Sequence, residues 1–196
     1  LYTVALAGGI PTRVSHHPGG EVLCGWTPDG GLLYFMSGLG GLTRQTQLFT
    51  TSATGGMPTK LPVPYGANGA ISDDGTWLAY TPHTTDTRTW NRYPAGIATD
   101  VWLYNLKDNT SKKVTDWEGT DTQPMWNGRI LFYLTDAGPE HRLNIWSFDP
   151  GTNARGQLTK LSEYDVKWPS IGPGANGQGE IVFQHGPDLM VLDLGT

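Results

Sequence analysis

Short apolar segments recur along the chain at a regular spacing. Five of them lie 47, 53, 43 and 45 residues apart, each bounded by polar or glycine-containing turns: 1–6, 48–53, 101–106, 144–149 and 189–194. A period of about 40–50 residues is typical of a β-propeller, in which one blade is one repeat. We interpret these segments as the third strands of successive blades.

The segments between them complete each repeat. Short segments with a basic or Thr-rich face, predicted as fourth strands, follow at 11–15, 58–61, 111–115 and 156–160. Core strands that end at Trp26, Ile71, Trp126 and Trp168 come next, and apolar second strands then cover 32–36, 77–80, 130–134 and 180–183. The pattern predicts an all-β fold, a β-propeller of four-stranded antiparallel blades. Its blade units are approximately 1–17, 18–62, 63–116, 117–162 and 163–196 of a single domain.

Turn residues separate the first and second strands. Thr27-Pro-Asp-Gly30 and Ser72-Asp-Asp-Gly75 combine an Asp that can bond its own backbone with a Gly that tolerates positive φ, and Asn127-Gly128 serves the next unit. The tryptophans Trp26, Trp126 and Trp168 recur at the ends of first strands, and we expect them to pack between neighbouring blades.

The strand count does not close a ring. It gives two strands of one blade, three whole blades and three strands of a fifth, which is about four to five blades of an expected six. Both ends of the chain offer a third strand, so the two ends would compete for one position. We therefore expect about two further blades before Leu1.

Composition narrows the function classes. Charged residues make up 16% of the chain, 27 glycines and 14 prolines fit many short strands joined by turns, and the formal net charge is −5. Without a basic stripe, nucleic acid is not an expected partner. The most apolar stretch, 31–42, is shorter than the ~20 residues of a membrane-spanning helix. Cys24 is the only cysteine, so no internal disulfide is expected.

The candidate chemistry of single residues is sparse. Ser15 precedes His16 and His17, but adjacent side chains of an extended segment point to opposite faces, and we interpret this stretch as an inter-blade turn. The five histidines lie on different loops without ligand spacing, and Asp73-Asp74 lacks the alternating ligands of a calcium loop. We predict no catalytic residue, metal site or cofactor on this chain.

An insertion between Tyr80 and Val101 explains the long 53-residue interval and carries a family resemblance. Arg88-Thr-Trp-Asn-Arg-Tyr-Pro-Ala-Gly96 is similar to the Arg-Thr-Trp-Lys-Arg-Tyr-Arg-Gly-Gly loop of bacterial tricorn-type peptidases, departing at Asn91, Pro94 and Ala95. The Trp-Thr-Pro-Asp-Gly run from Trp26 resembles the repeats of tricorn and Tol-system propellers. The segments 115–126 and 164–173 are similar to the last two blades of the tricorn N-terminal propeller, so the resemblance covers the whole chain.

The resemblance implies a non-catalytic propeller of a large serine peptidase that degrades oligopeptides, with the catalytic groups in other domains. The propeller would gate or channel peptides or dock other domains and subunits, and the whole protein would be a homo-oligomer. The alternative is a stand-alone Tol-like propeller that binds a protein partner, although Tol-type repeats lack the insertion. A third hypothesis is the propeller of a dipeptidyl-class hydrolase.

The insertion also supplies the predicted site. Arginine and aromatic side chains anchor interfaces, so Arg88, Trp90, Arg92 and Tyr93 are the candidate peptide-channel or docking residues, against the alternative of a self-packed loop. We expect a cytoplasmic protein, with the periplasm as the alternative.

Overall fold

The computed structural model describes residues 1–37, 45–84 and 98–195, which contain strands, turns and bends and no helix. The strands form five separate antiparallel sheets in which sequence neighbours pair. This confirms the predicted all-β propeller of four-stranded blades. The predicted loop residues Arg88, Trp90, Arg92 and Tyr93 lie outside the described residues.

Each sheet is one blade or part of one. Blade 1 contains β1 (Tyr2–Thr3) and β2 (Thr12–Arg13); blade 2 contains β3 (Glu21–Trp26), β4 (Leu32–Ser37), β5 (Thr46–Thr51) and β6 (Thr59–Lys60); blade 3 contains β7 (Ala67–Ile71), β8 (Trp77–Thr81), β9 (Trp102–Asn105) and β10 (Ser111–Lys113). Blade 4 contains β11 (Asp121–Asn127), β12 (Ile130–Thr135), β13 (Asn144–Phe148) and β14 (Arg155–Gln157), and blade 5 contains β15 (Val166–Gly172), β16 (Glu180–His185) and β17 (Asp188–Asp193).

Because the strands alternate in direction, the loops that join them collect at two opposite ends of the blades, which we call the entry edge and the far edge. At the entry edge the first strands begin, at Glu21, Ala67, Asp121 and Val166, and the second strands end. At the far edge, tight turns join first to second strands. Gly30 (φ 82°) and Gly75 (φ 67°) close the two predicted turns by donating to Thr27 and Ser72 carbonyls at 2.9 and 2.8 Å, which confirms both turns.

The hydrophobic core lies between blades. One cluster joins Leu33 and Leu48 of blade 2 to Leu78 of blade 3. A second cluster joins Val101 and Leu103 of blade 3 to side chains of blade 4, and a third joins blade 4 to Val166, Ile181 and Phe183 of blade 5. A single sheet cannot bury both of its faces, so every blade depends on its neighbours for its core.

The prediction that three tryptophans pack between blades is right for Trp126 and wrong for Trp168, while Trp26 lies on a blade face for which the described part of this chain contains no adjacent first strand. Trp126 is 7% exposed and its indole Nε1 donates to the Ala70 carbonyl of blade 3 at 3.2 Å, whereas Trp26 is 63% and Trp168 56% exposed. Trp26 holds the position of Trp126, but the two-stranded blade 1 offers no first strand beside β3. Its ring therefore has no neighbouring inner strand to cover it.

Trp168 is exposed for another reason, which is the register of its strand. Trp126 pairs with Leu131, and the equivalent pair in blade 5 is Ile171 with Ile181. Trp168 instead occupies a bulge between Lys167 and Ser170, where its φ is 52°. The bulges of β7 and β11 carry Asn68 (φ 44°) and Gln123 (φ 50°), so these are the structural counterparts of Trp168.

Hydrogen bonds between far-edge turns connect successive blades. Asp73 Oδ2 of blade 3 accepts from the Gly128 amide of blade 4 at 2.8 Å, and Asn127 Nδ2 donates to the Gln178 carbonyl of blade 5 at 2.7 Å. Asp74 caps its own turn by accepting from Ser72 Oγ and from the Thr76 amide, bonds that lower the pKa of its carboxyl to about 2. Both members of the Asp73-Asp74 pair are therefore engaged in turn structure, as expected.

The difference between the tryptophans gives a first prediction. Trp126→Ala should lower the free energy of unfolding of the 196-residue chain by about 3–5 kcal/mol, because it empties an inter-blade site. Trp26→Ala, at the equivalent but exposed position, should cost less than about 1 kcal/mol. Denaturant unfolding followed by far-UV circular dichroism measures both, and equal losses would contradict the assigned packing.

Candidate functional site

The entry edge brings together polar side chains from neighbouring blades. Thr84 and Ala98, which belong to the predicted insertion between Tyr80 and Val101 and flank residues 85–97, both lie there, between β8 and β9. Asn68 Nδ2 lies 3.5 Å from Thr84 Oγ1 and donates to Thr122 Oγ1 of blade 4 at 3.0 Å. Thr99 forms a parallel bridge with Thr120. The insertion is therefore anchored at the junction of blades 3 and 4.

Asp121 is the most unusual group at this junction. It is fully buried at the first position of β11, and among the described residues neither of its carboxylate oxygens accepts a hydrogen bond. Its backbone is held by Thr99, which accepts from the Asp121 amide at 2.9 Å and donates Oγ1–H to the Asp121 carbonyl at 2.7 Å. The position is thus fixed by backbone contacts, while the enclosed carboxyl group has the Thr135 and Thr115 hydroxyls as neighbours but no hydrogen bond of good geometry from the described residues.

Burial raises the pKa of Asp121 to about 7. The hydroxyls of Thr135 and Thr115 act against the rise, and the carboxylates of Asp100 and Asp136 add to it. Asp100 is itself balanced by Lys113, whose Nζ lies 3.1 Å from Asp100 Oδ2. The protonated form is favoured because an isolated carboxylate in an apolar environment loses its hydration.

Tyrosine and histidine rings meet at two other points of the entry edge. The rings of Tyr65 and His83 stack at 6.1 Å with an interplanar angle of 3°, and those of Tyr164 and His185 meet edge to face at 5.6 Å and 74°. In each pair the tyrosine precedes a first strand and the histidine follows or ends a second strand. These contacts hold the connecting segments against their blades.

A cavity of about 370 Å³ lies at the entry edge between blades 4 and 5. The cavity is lined by Arg142 of the β12–β13 connection, by residues 163–165 of the segment before β15, and by Lys167, Gln184 and Gly186 of blade 5. Sequence reasoning missed this cavity. Its lining comes from three segments that only the packing of two blades brings together.

The Ser15–His16–His17 neighbourhood is not a nucleophile–base arrangement. Ser15 is buried and its Oγ bonds Glu21 and the Leu1 ammonium, and His17 Nδ1 accepts from the Gly19 amide at 3.0 Å. This matches the interpretation of the stretch as an inter-blade turn. Within the described ranges, no group of three His, Cys, Asp or Glu residues is placed to hold a metal ion. In the same ranges, no helix has the length and apolar character of a transmembrane segment.

The five antiparallel sheets and the core between them define the chain as a β-propeller domain. It belongs to the family of the tricorn protease N-terminal beta propeller domain, whose model matches residues 1–196. This confirms the resemblance inferred from the insertion and the repeats. A comparison with curated proteins found no match.

Solved structures share the fold at low sequence identity. The chain is similar to the crystal structure of the tricorn protease, with a TM-score of 0.80 and 18% identity over 98% of this chain and 19% of that one. It is also similar to TolB from Acinetobacter baumannii, with a TM-score of 0.70 and 20% identity over 97% of this chain and 44% of that one. The chain therefore spans less than half the length of either protein.

Asp121 gives a prediction about pH. Its folded-state pKa of about 7 lies above the ordinary value of 3.8, so between these values the folded chain holds a proton that the unfolded chain releases. The free energy of unfolding should therefore fall as pH rises from 4 to 7, by an amount on the order of 2–4 kcal/mol from this group.

Asp121→Asn should remove the pH-dependent part of the free energy of unfolding that Asp121 contributes. The variant should therefore gain stability relative to the wild type as the pH rises to 8. Asp116→Asn is the control, since Asp116 is exposed and Lys113 lowers its pKa. Urea unfolding at several pH values measures the difference, and parallel pH profiles for wild type and Asp121→Asn would refute the assignment.

Proposed function

We propose that this chain is a non-catalytic propeller of a larger tricorn-type serine peptidase that degrades oligopeptides. The observation that carries the proposal is the match of the whole chain to the tricorn N-terminal propeller family. On this proposal the nucleophile and its base belong to other domains, and the full protein is a cytoplasmic homo-oligomer.

Within that enzyme the propeller gates or channels peptides, or docks neighbouring domains and subunits, through its entry edge. Two features support the assignment to this edge. The insertion that carries Arg88, Trp90, Arg92 and Tyr93 is anchored there by Thr84 and Thr99, and a polar cavity of about 370 Å³ opens on the same side. Arginine and aromatic side chains suit a surface that contacts peptides or another domain.

A stand-alone interaction propeller is the second candidate. The similarity to TolB from Acinetobacter baumannii favours it, because that match also covers 97% of the chain. The two candidates differ in the size of the natural protein. An immunoblot of source cells with an antibody against this domain should detect a polypeptide several domains long that co-purifies with peptidase activity. A band near 21 kDa would support the second candidate instead.

The proposed loop residues give a direct test in the full-length protein. Trp90→Ala combined with Arg92→Ala should change the stability by less than about 0.5 kcal/mol and should alter the kcat/KM for oligopeptides or the assembly state. Arg129→Ala, which removes a cation at the far edge, is the control and should change neither property. A large fall in melting temperature for the double variant would mean that the loop is part of the core.

A further inference from the structure

The cavity between blades 4 and 5 has the size and the lining of a binding site. Its volume of about 370 Å³ lies within the ~300–1,000 Å³ range of sites for small ligands. It brings two cationic side chains, two carboxylates, an amide and an aromatic ring to one place.

The two cations are available to a ligand. Arg142 directs Nε toward the Glu163 carbonyl at 3.4 Å and Nη1 toward the His141 carbonyl at 3.3 Å, contacts that orient the guanidinium without neutralising it. Lys167 emerges from β15 beside Gln184, its register partner on β16. Among the described residues neither Arg142 nor Lys167 forms an ion pair.

The remaining polar groups are acceptors. Asp165 Oδ1 accepts from the Leu143 amide at 3.0 Å, so this carboxylate is committed in part to the backbone before β13. Gln184 Nε2 donates to the Gly186 carbonyl at 2.8 Å, which leaves its Oε1 as an acceptor. The Glu163 carboxylate is exposed at the cavity. These oxygens suit the N–H groups of a peptide backbone.

The aromatic wall is held in place by its contacts. The Tyr164 ring meets His185 edge to face, and it lies directly over Gly186. A Cβ at Gly186 would come within 2.6 Å of Tyr164 Cδ2, and the φ of Gly186 is 58°. Only glycine allows this close approach, so the backbone itself fixes the ring at the cavity.

We propose that this cavity binds the carboxylate of a peptide, with Arg142 and Lys167 as its cationic partners. The peptide N–H groups meet Glu163 and Gln184, and an adjacent side chain lies on Tyr164. The inference rests on the proposed function, and it names the peptide feature that the propeller recognises. A carboxylate fits better than a phosphate because the exposed Glu163 carboxylate would repel a second negative charge.

Acetylation footprinting at Lys167 tests the proposal at the site itself. The full-length protein is first treated with a covalent serine-directed inhibitor, so that no probe is cleaved. Its lysines are then acetylated with and without an N-terminally fluorescein-labelled alanine hexapeptide with a free C-terminal carboxylate, and mass spectrometry gives the rate at Lys167. Lys107 at the far edge is the internal control, and fluorescence anisotropy measures total peptide binding.

The expected result is slower acetylation of Lys167 in the presence of the acid peptide, with no change at Lys107. Arg142→Gln should raise the peptide concentration that gives half-maximal protection about tenfold, which corresponds to the loss of one charge-assisted hydrogen bond. Arg129→Gln removes the same charge at the far edge and should retain full protection. Circular dichroism checks that both variants are folded.

Two further probes distinguish whether the bound carboxylate is the C-terminus of the peptide or an acidic side chain. Loss of protection with the C-terminally amidated hexapeptide assigns the site to a chain terminus. Protection that an amidated peptide regains when one alanine is replaced by Glu, but not by Gln, assigns it to an acidic side chain. Equal or stronger protection by inorganic phosphate would overturn the carboxylate assignment.

The remaining outcomes separate this proposal from the function on which it rests. Peptide binding detected by anisotropy without protection of Lys167, or with equal protection in Arg142→Gln, overturns the cavity assignment alone. The absence of peptide binding to the wild type at ~1 mM peptide would overturn the peptide-handling function as well.

Discussion

Burial of apolar blade faces against neighbouring blades is the interaction on which the structure depends. Each four-stranded sheet is apolar on both faces, and each core cluster draws its side chains from two sheets. Trp126 shows the consequence, since it is buried only because the first strand of blade 3 lies beside it. The stability of such an array is set by the interfaces between neighbouring blades. The loops at the two edges can therefore carry functional residues.

The two edges use this freedom differently. Far-edge connections are short turns in which Asp and Asn side chains cap amides and link one blade to the next. Entry-edge connections are longer and bring unrelated segments together, as at Asp121 and around Arg142. A buried carboxyl group that accepts no hydrogen bond of good geometry from the described residues is costly in a purely structural element. Such a group favours a functional role for this edge.

The fold could be predicted because the repeat is local. A period near one blade and turn residues at fixed offsets identify the strands without knowledge of contacts. The register of a bulged strand could not be predicted in that way, and Trp168 was matched to Trp126 although Pro169 and Pro124 are the aligned residues. This pair of prolines was the available signal. The environment of Asp121 and the cavity depend on packing between blades, which the spacing of residues along the chain does not encode.

The bulges of the first strands also limit what these strands can pair with. Among the described strands, β7, β11 and β15 are each bonded to one neighbour, so their other side exposes backbone groups that an extended chain could pair with as an added strand. A residue with positive φ interrupts each of these strands. In addition, Pro124 removes one amide donor from β11 and Pro169 removes one from β15. Such an edge resists strand addition. An extended chain that meets these strands would therefore not be held by a continuous ladder of main-chain hydrogen bonds.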